Sequence, residues 1–252
     1  MVFELGIIVL IAAFLLEYLD ATLGMGYGTA LTPVLLLMGL EPLQVVPAVL
    51  ISAVVAGLFA AFAHHKLGNV NFRQPRTGKI VAMLVACSIA GAVAAVFVAV
   101  SIPQIYLTVY IGLLVTGMGA LILLNRKMKT GFSRIKIILL GLVAAFNKGM
   151  SGGGYGPLVT SGQILSGVNG KNAIGITTLA EGLACIVAVA TFLALNPSYA
   201  DWQLAAFLSG GALLSVPFSA FTVKKLQVEK MTSLIGAATL LLGIFTLLGV
   251  FA

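Results

Sequence analysis

The sequence reads as an all-α polytopic membrane protein. It is built from two inverted four-segment repeats whose first and fifth elements are broken by glycines. Three features lead there. Hydrophobic residues make up 60% of the 252 positions and charged residues only 8%, whereas soluble domains carry about 25% charged residues. Several apolar segments run to ~20 residues, enough to cross ~30 Å of hydrocarbon as helix. Two apolar stretches are interrupted by similar glycine clusters, GMGYG at 24–28 and SGGGYG at 151–156.

The first element joins apolar runs at 3–23 and 29–39 across the GMGYG break. Its N-terminal stretch has no Lys or Arg and no small-residue cleavage site, so it reads as part of the mature fold and not as a signal peptide. Segments at 43–63, 79–100 and 104–125 complete the first unit. The fifth element joins 135–147 and 154–166 across SGGG, and segments at 171–195, 202–223 and 231–252 follow. The expected organisation is one integral membrane domain. Its parts are a first repeat at 1–125, a basic cytoplasmic linker at 126–134 and a second repeat at 135–252.

The repeat is visible without gaps. At an offset of 128, Gly24, Gly26, Tyr27, Gly28, Thr32, Leu37 and Gly39 match Gly152, Gly154, Tyr155, Gly156, Thr160, Leu165 and Gly167. Loop charge then sets the relative orientation, because Lys and Arg collect in cytoplasmic loops. The connection at 64–79 carries Lys66, Arg73, Arg76 and Lys79, while its counterpart near 196–201 carries none. The connection near 101–104 has none, while its counterpart holds Lys224, Lys225 and Lys230. Opposite charge in equivalent loops is expected of inverted repeats. Inversion needs an odd number of crossings per unit, so each glycine-broken element is expected to be re-entrant. With 1–39 and 135–166 as dips and six crossing segments, every Lys and Arg except Lys148 faces one side, and both termini lie outside.

In hydrocarbon an unpaired backbone group costs several kcal/mol, so a break survives only within protein or along a wet cavity. A short helix restarting after such a break aims free N–H groups and a positive dipole end toward the membrane middle, which makes an anion site. Pro157 suits the first turn of that helix. Lys148 adds a full positive charge beside the break, and intramembrane charges are usually functional. Two readings of Lys148 stand: direct contact with an anion, or pairing with Glu17, Asp20 or Glu181. The candidate substrate-binding residues are Lys148, Ser151, Gly152, Gly153, Gly154, Tyr155, Gly156, Thr160 and Gln163 at the second break. At the first they are Gly24, Gly26, Tyr27, Gly28 and Thr32. Asn147, Ser161, Thr29, Thr177 and Thr178 are further polar neighbours. Glu17, Asp20 and Glu181 are candidates for coupling or ion pairing.

Other chemistries find no support. No catalytic arrangement of Ser, His and Asp, no metal set and no cofactor motif emerges, and GMGYG lacks the strand context of a dinucleotide fingerprint. His64 and His65 are adjacent, cannot share one helix face as ligands, and are expected at the interface. Cys87 and Cys185 lie in apolar runs and read as small core residues. The net charge of +7 belongs to membrane loops and not to a nucleic-acid face.

The stretches KGMSGGGYGPLVTSGQILSG and KNAIGITTLAEG, together with the paired G-x-G-x-G pattern in a chain of eight apolar segments, resemble the TauE/SafE sulfite exporter family, also called the toluene-sulfonate uptake permease superfamily. The first copy departs from a triple glycine, with Met25 and Tyr27 in place. The resemblance covers essentially the whole chain. It implies a non-enzymatic, multi-pass transporter in the bacterial cytoplasmic (inner) membrane, moving sulfur-containing anions such as sulfite, sulfoacetate or other sulfonates, with export the expected direction. An anion channel and an intramembrane enzyme or scaffold are the alternatives. The expected partners are a small inorganic or organic sulfur anion and the lipid bilayer, with room for a homodimer.

Overall fold

A computed structural model of the chain describes residues 3–24, 26–124, 134–166, 168–225 and 229–251. The elements are α1 (Phe3–Leu23), α2 (Tyr27–Leu37), α3 (Pro42–Lys66), α4 (Pro75–Ser101) and α5 (Gln104–Leu124), then α6 (Arg134–Ser151), α7 (Tyr155–Leu165) and α8 (Gly170–Leu195). A 3₁₀ turn at Pro197–Tyr199, α9 (Trp202–Lys225) and α10 (Glu229–Phe251) complete the chain. No strand occurs among the described residues. Of the expected 126–134 linker only Arg134, the first residue of α6, is described; Met25 and Gly167 also lie outside the described residues.

Six helical segments among the described residues are long and apolar enough to cross a membrane: Leu5–Leu23, Pro42–Lys66, Pro75–Ser101, Gln104–Leu121, Gly170–Leu195 and Trp202–Val223. The first of these lies within the stretch expected to dip. Pro42 and Pro75 open their helices, where a missing N–H costs nothing. The helices α2 and α7 differ from the rest. Each has 11 residues, about 16 Å of helix by the usual rise and half a bilayer thickness.

Side-chain size is sorted inside out. Much of the buried interior is alanine, including Ala48, Ala56, Ala60, Ala92, Ala95 and Ala188, while Phe59, Phe62, Phe97, Phe218 and Phe221 face outward. In water this would leave a large apolar surface exposed. In lipid it lets helices approach closely while bulky side chains meet the hydrocarbon.

Contacts along the helices fix their directions. Going up α1, the neighbours on α9 ascend too: Gly6 faces Phe207, Phe14 meets Phe218 and Tyr18 bonds Thr222. These two helices are parallel. So are α4 and α6, where Gly141 faces Leu84 and Gly149 faces Ala95. The pairs α3/α8 and α5/α10 are antiparallel: Gly57 meets Gly182 while Val70, beyond α3, meets Gly175, and Gly112 meets Leu247 while Gly119 meets Leu240.

Two ends of the bundle follow from these directions. At one end Gln104 donates from Nε2 to Glu41 at 2.9 Å and Gln44 donates to Asp201 at 2.7 Å. Asp201 also accepts from the Leu204 amide at 2.8 Å and so caps α9. Partial burial raises the Asp201 pKa, but the Leu204 amide and the Gln44 side chain outweigh it and hold the carboxyl below its usual value. At the other end His64 and Asn69 tie the 67–74 loop to α1 and α9. His64 Nε2 bonds the Ala21 carbonyl at 3.0 Å, and Asn69 Nδ2 donates to the Ala220 carbonyl at 2.9 Å. His64 is therefore fully buried within the protein, in the last turn of α3. Its ring is a hydrogen-bonded pin under the first glycine break.

Candidate functional site

Both breaks place a pair of glycines at positive φ. Gly24 and Gly26 have φ of +67° and +91°, and Gly152 and Gly154, 128 positions on, have +70° and +76°. L-residues resist this left-handed region and glycine does not, so GxG is what these torsions require at both places. The α2 and α7 helices restart one residue later, at Tyr27 and Tyr155.

The two breaks lie against each other. A Cβ added at Gly28 would overlap the Gly152 carbonyl oxygen. One at Gly153 would stand 2.6 Å from the Thr29 nitrogen, and one at Gly156 2.7 Å from the Gly26 nitrogen. Only backbone on backbone fits here. Gly154 N–H donates to Thr29 Oγ1 at 2.9 Å, a direct bond between the two broken elements.

Several amides of the breaks themselves are occupied within the protein. Gly24 and Gly152 donate to the carbonyls of Asp20 and Lys148 at 2.6 and 2.8 Å. Gly26 donates to Asp20 Oδ1 at 2.6 Å, and Gly153 to Ser151 Oγ at 3.1 Å. Buried N–H groups require a partner, and nearby oxygens supply it in this arrangement.

Lys148 is 1% exposed and its Nζ donates to Glu181 Oε1 at 2.6 Å. Of the three carboxylates considered as partners, Glu181 on α8 takes it. Asp20, at the position equivalent to Lys148, instead covers the N-terminal end of α2 through Gly26. A small cavity lies beside these groups, lined by Glu17, Asp20, Tyr27, Gly57, Thr178 and Glu181 among others. It has room for about one water molecule.

The remaining candidates divide. Thr160 Oγ1 and Gln163 Nε2 both donate to Thr177 Oγ1, at 3.0 and 2.9 Å, forming a polar cluster between α7 and α8. Thr32 Oγ1 and Gln163 Oε1 are buried without a partner among the described residues, and a Cβ at Gly152 would lie 3.0 Å from Thr32 Oγ1. Ser151 and Thr178 bond carbonyls of their own helices, Asn147 and Ile174, the ordinary fate of such hydroxyls in membrane helices. The Tyr27 and Tyr155 hydroxyls reach Ser52 on α3 and Ser88 on α4, at 3.0 and 3.4 Å. The tyrosines brace the breaks from behind. Sequence reasoning passed over Ser52, Ser88 and Tyr110, whose hydroxyl donates to Asn147 Oδ1 at 2.6 Å. Each is a lone polar residue within an apolar run, with no local pattern to mark it.

A family model described as Sulfite exporter TauE/SafE matches residues 9–246. A Bacillus subtilis (strain 168) protein named as a probable membrane transporter protein, YtnM, is 27% identical over 244 residues, covering 92% of this chain and 79% of its own length. No solved structure matches.

Proposed function

This chain belongs to the sulfite exporter TauE/SafE family, a family of membrane transporters and not enzymes, and on that premise we propose that it is a secondary transporter exporting small sulfur-containing anions: sulfite, sulfoacetate or other sulfonates. The observation that carries the anion reading is Lys148, a buried ammonium at the edge of two glycine breaks that touch backbone to backbone. In this reading the anion binds between the tips of α2 and α7. Lys148 supplies charge, the hydroxyls of Thr29 and Thr32 supply directed donors, and the amides of Gly153 and Gly154 join them by exchanging Ser151 and Thr29 for the anion. Sulfur oxyanions present several acceptor oxygens around one centre, which suits such a donor set. Thr160 and Gln163 extend it on the α7 side.

We read the two units, 1–125 and 135–252, as inverted repeats with a re-entrant dip in each. The parallel pairs α1/α9 and α6/α4 exchange under the 128 offset, and the antiparallel pairs α3/α8 and α5/α10 map onto themselves. That pattern supports a twofold lying in the membrane plane. The starts of α1 and α3 lie at the same end of the bundle, which supports a dip over 1–39. Lys66, Arg73, Arg76, Lys79, Lys136 and Lys171 lie toward the opposite end, which we assign to the cytoplasm.

The tips of α2 and α7 touch backbone to backbone, which leaves no room between them for a sulfur oxyanion in this conformation. Transport therefore proceeds by alternating access, with the units moving apart on one side at a time. Purified protein in lipid vesicles should take up radiolabelled sulfite or sulfoacetate saturably, and lose that flux in Gly154→Leu while remaining folded. Unchanged flux in this variant sinks the site, and absence of flux for every sulfur anion in wild type sinks the substrate class.

A further inference from the structure

The cavity at the meeting of α1, α3 and α8 is lined by three carboxylates, Glu17, Asp20 and Glu181, with the single ammonium of Lys148 behind them. Their surroundings differ. Glu181 has Lys148 at 2.6 Å. Asp20 accepts from the Gly26 amide at 2.6 Å, at the N-terminal end of α2, where helix dipoles favour a negative charge. Glu17 has neither. It is 4% exposed, lines the same cavity, and has no hydrogen bond or ion pair among the described residues. An isolated ionised carboxylate in such a place is so costly that the group takes up a proton instead. Asp20 lies three residues further on α1, on the same face, and adds like-charge repulsion.

The groups around Glu17 leave one place for its proton to go. On α1 stand Tyr18 and Asp20, on α2 Tyr27, on α3 His64, on α6 Lys148, and on α8 Glu181 and Cys185; the described side chains of α9 include nothing titratable. Tyr18, Tyr27 and His64 are engaged with Thr222, Ser52 and the Ala21 carbonyl, and Asp20 holds the α2 amide. Glu181 alone stands to lose its counter-charge, because an anion that takes Lys148 displaces it.

We infer that Glu17 is a proton relay: it holds a proton in the resting protein and passes it to Glu181 as the anion claims Lys148, so that one proton and the anion move together in the same direction. The step balances. The O–H bond on the Glu17 carboxylic acid breaks, one forms on the Glu181 carboxylate, and Glu17 is refilled by a proton from the water side. The relay rests on the proposed anion site at Lys148, whereas the resting proton on Glu17 does not.

Two measurements test it separately. Infrared spectra of the purified protein in lipid vesicles at neutral pH should show the carbonyl stretch of a protonated carboxylic acid, lost in Glu17→Gln. A wild-type spectrum without that band, or an undiminished band in the variant, overturns the resting proton. In vesicles containing a pH dye, an inward gradient of sulfoacetate or methanesulfonate should acidify the lumen with wild type and with Glu17→Asp. Glu17→Gln should lose this acidification while still exchanging labelled for unlabelled sulfoacetate. Anion uptake by wild type without acidification overturns the coupling. If no sulfur anion, sulfite included, moves with wild type, the transport reading falls and the coupling with it, and the infrared band still decides the resting proton.

Discussion

Lys148 and Asp20 stand at equivalent positions of the two halves and carry opposite charge. Neither meets the other. Lys148 takes Glu181, and Asp20 takes the amide end of α2. Removing one partner of a buried ion pair strands the other, at a cost of about 3–5 kcal/mol. Lys148→Ala alone should therefore lower thermal stability as well as flux. Adding Glu181→Gln should recover most of the stability, read by thermal unfolding in detergent, while flux stays absent. A double variant that transports would show the pair to be structural only. The sequence left Lys148 with three carboxylates to choose from, and for a physical reason. Spacing along a chain says which helix face a side chain occupies, but the partner is set by how α6 leans on α8. The same applies to Tyr155, whose place in the glycine motif suggested a ligand contact while its hydroxyl turns to Ser88.

At the level of elements the breaks were legible because their cause is local. Positive φ demands glycine, and positive φ at the positions 128 residues later demands it again. The boundaries of α2 and α7 follow from the same local logic. Occupation of the break amides was not legible, because their partners depend on two segments meeting. Substitution can separate conformation from contact. Gly39 has φ of +87° with nothing near a Cβ, so Gly39→Ala should cost only the left-handed strain, about 1–2 kcal/mol, and leave flux intact. Gly28 has ordinary torsions but no space, so Gly28→Ala should push the breaks apart and abolish flux. Equal behaviour of the two in a paired stability and flux measurement would contradict the view that contact between the breaks is what transport needs.

For the whole molecule the proposed topology makes a sharp demand. In a background lacking Cys87 and Cys185, cysteines introduced at positions 3, 40 and 198 should react with an impermeant reagent from the external face, and those at 68 and 169 from the cytoplasmic face. An eight-crossing chain would separate 3 from 40. The all-helical architecture with long apolar segments was legible from composition and segment length because lipid imposes both. The hydrogen bonds of His64 were not, since the Ala21 carbonyl meets its ring only once α1 packs beside α3. The unequal charges at the two breaks have one more consequence. Two identical dips would give a carrier whose outward-open and inward-open forms were mirror images of equal energy, resting half the time in each. With a carboxylate at one tip and an ammonium at the equivalent place in the other, opening either side exposes a different charge to water. Under the proposed alternating access, the empty carrier should have a preferred resting orientation, and its two faces should offer the anion different apparent affinities.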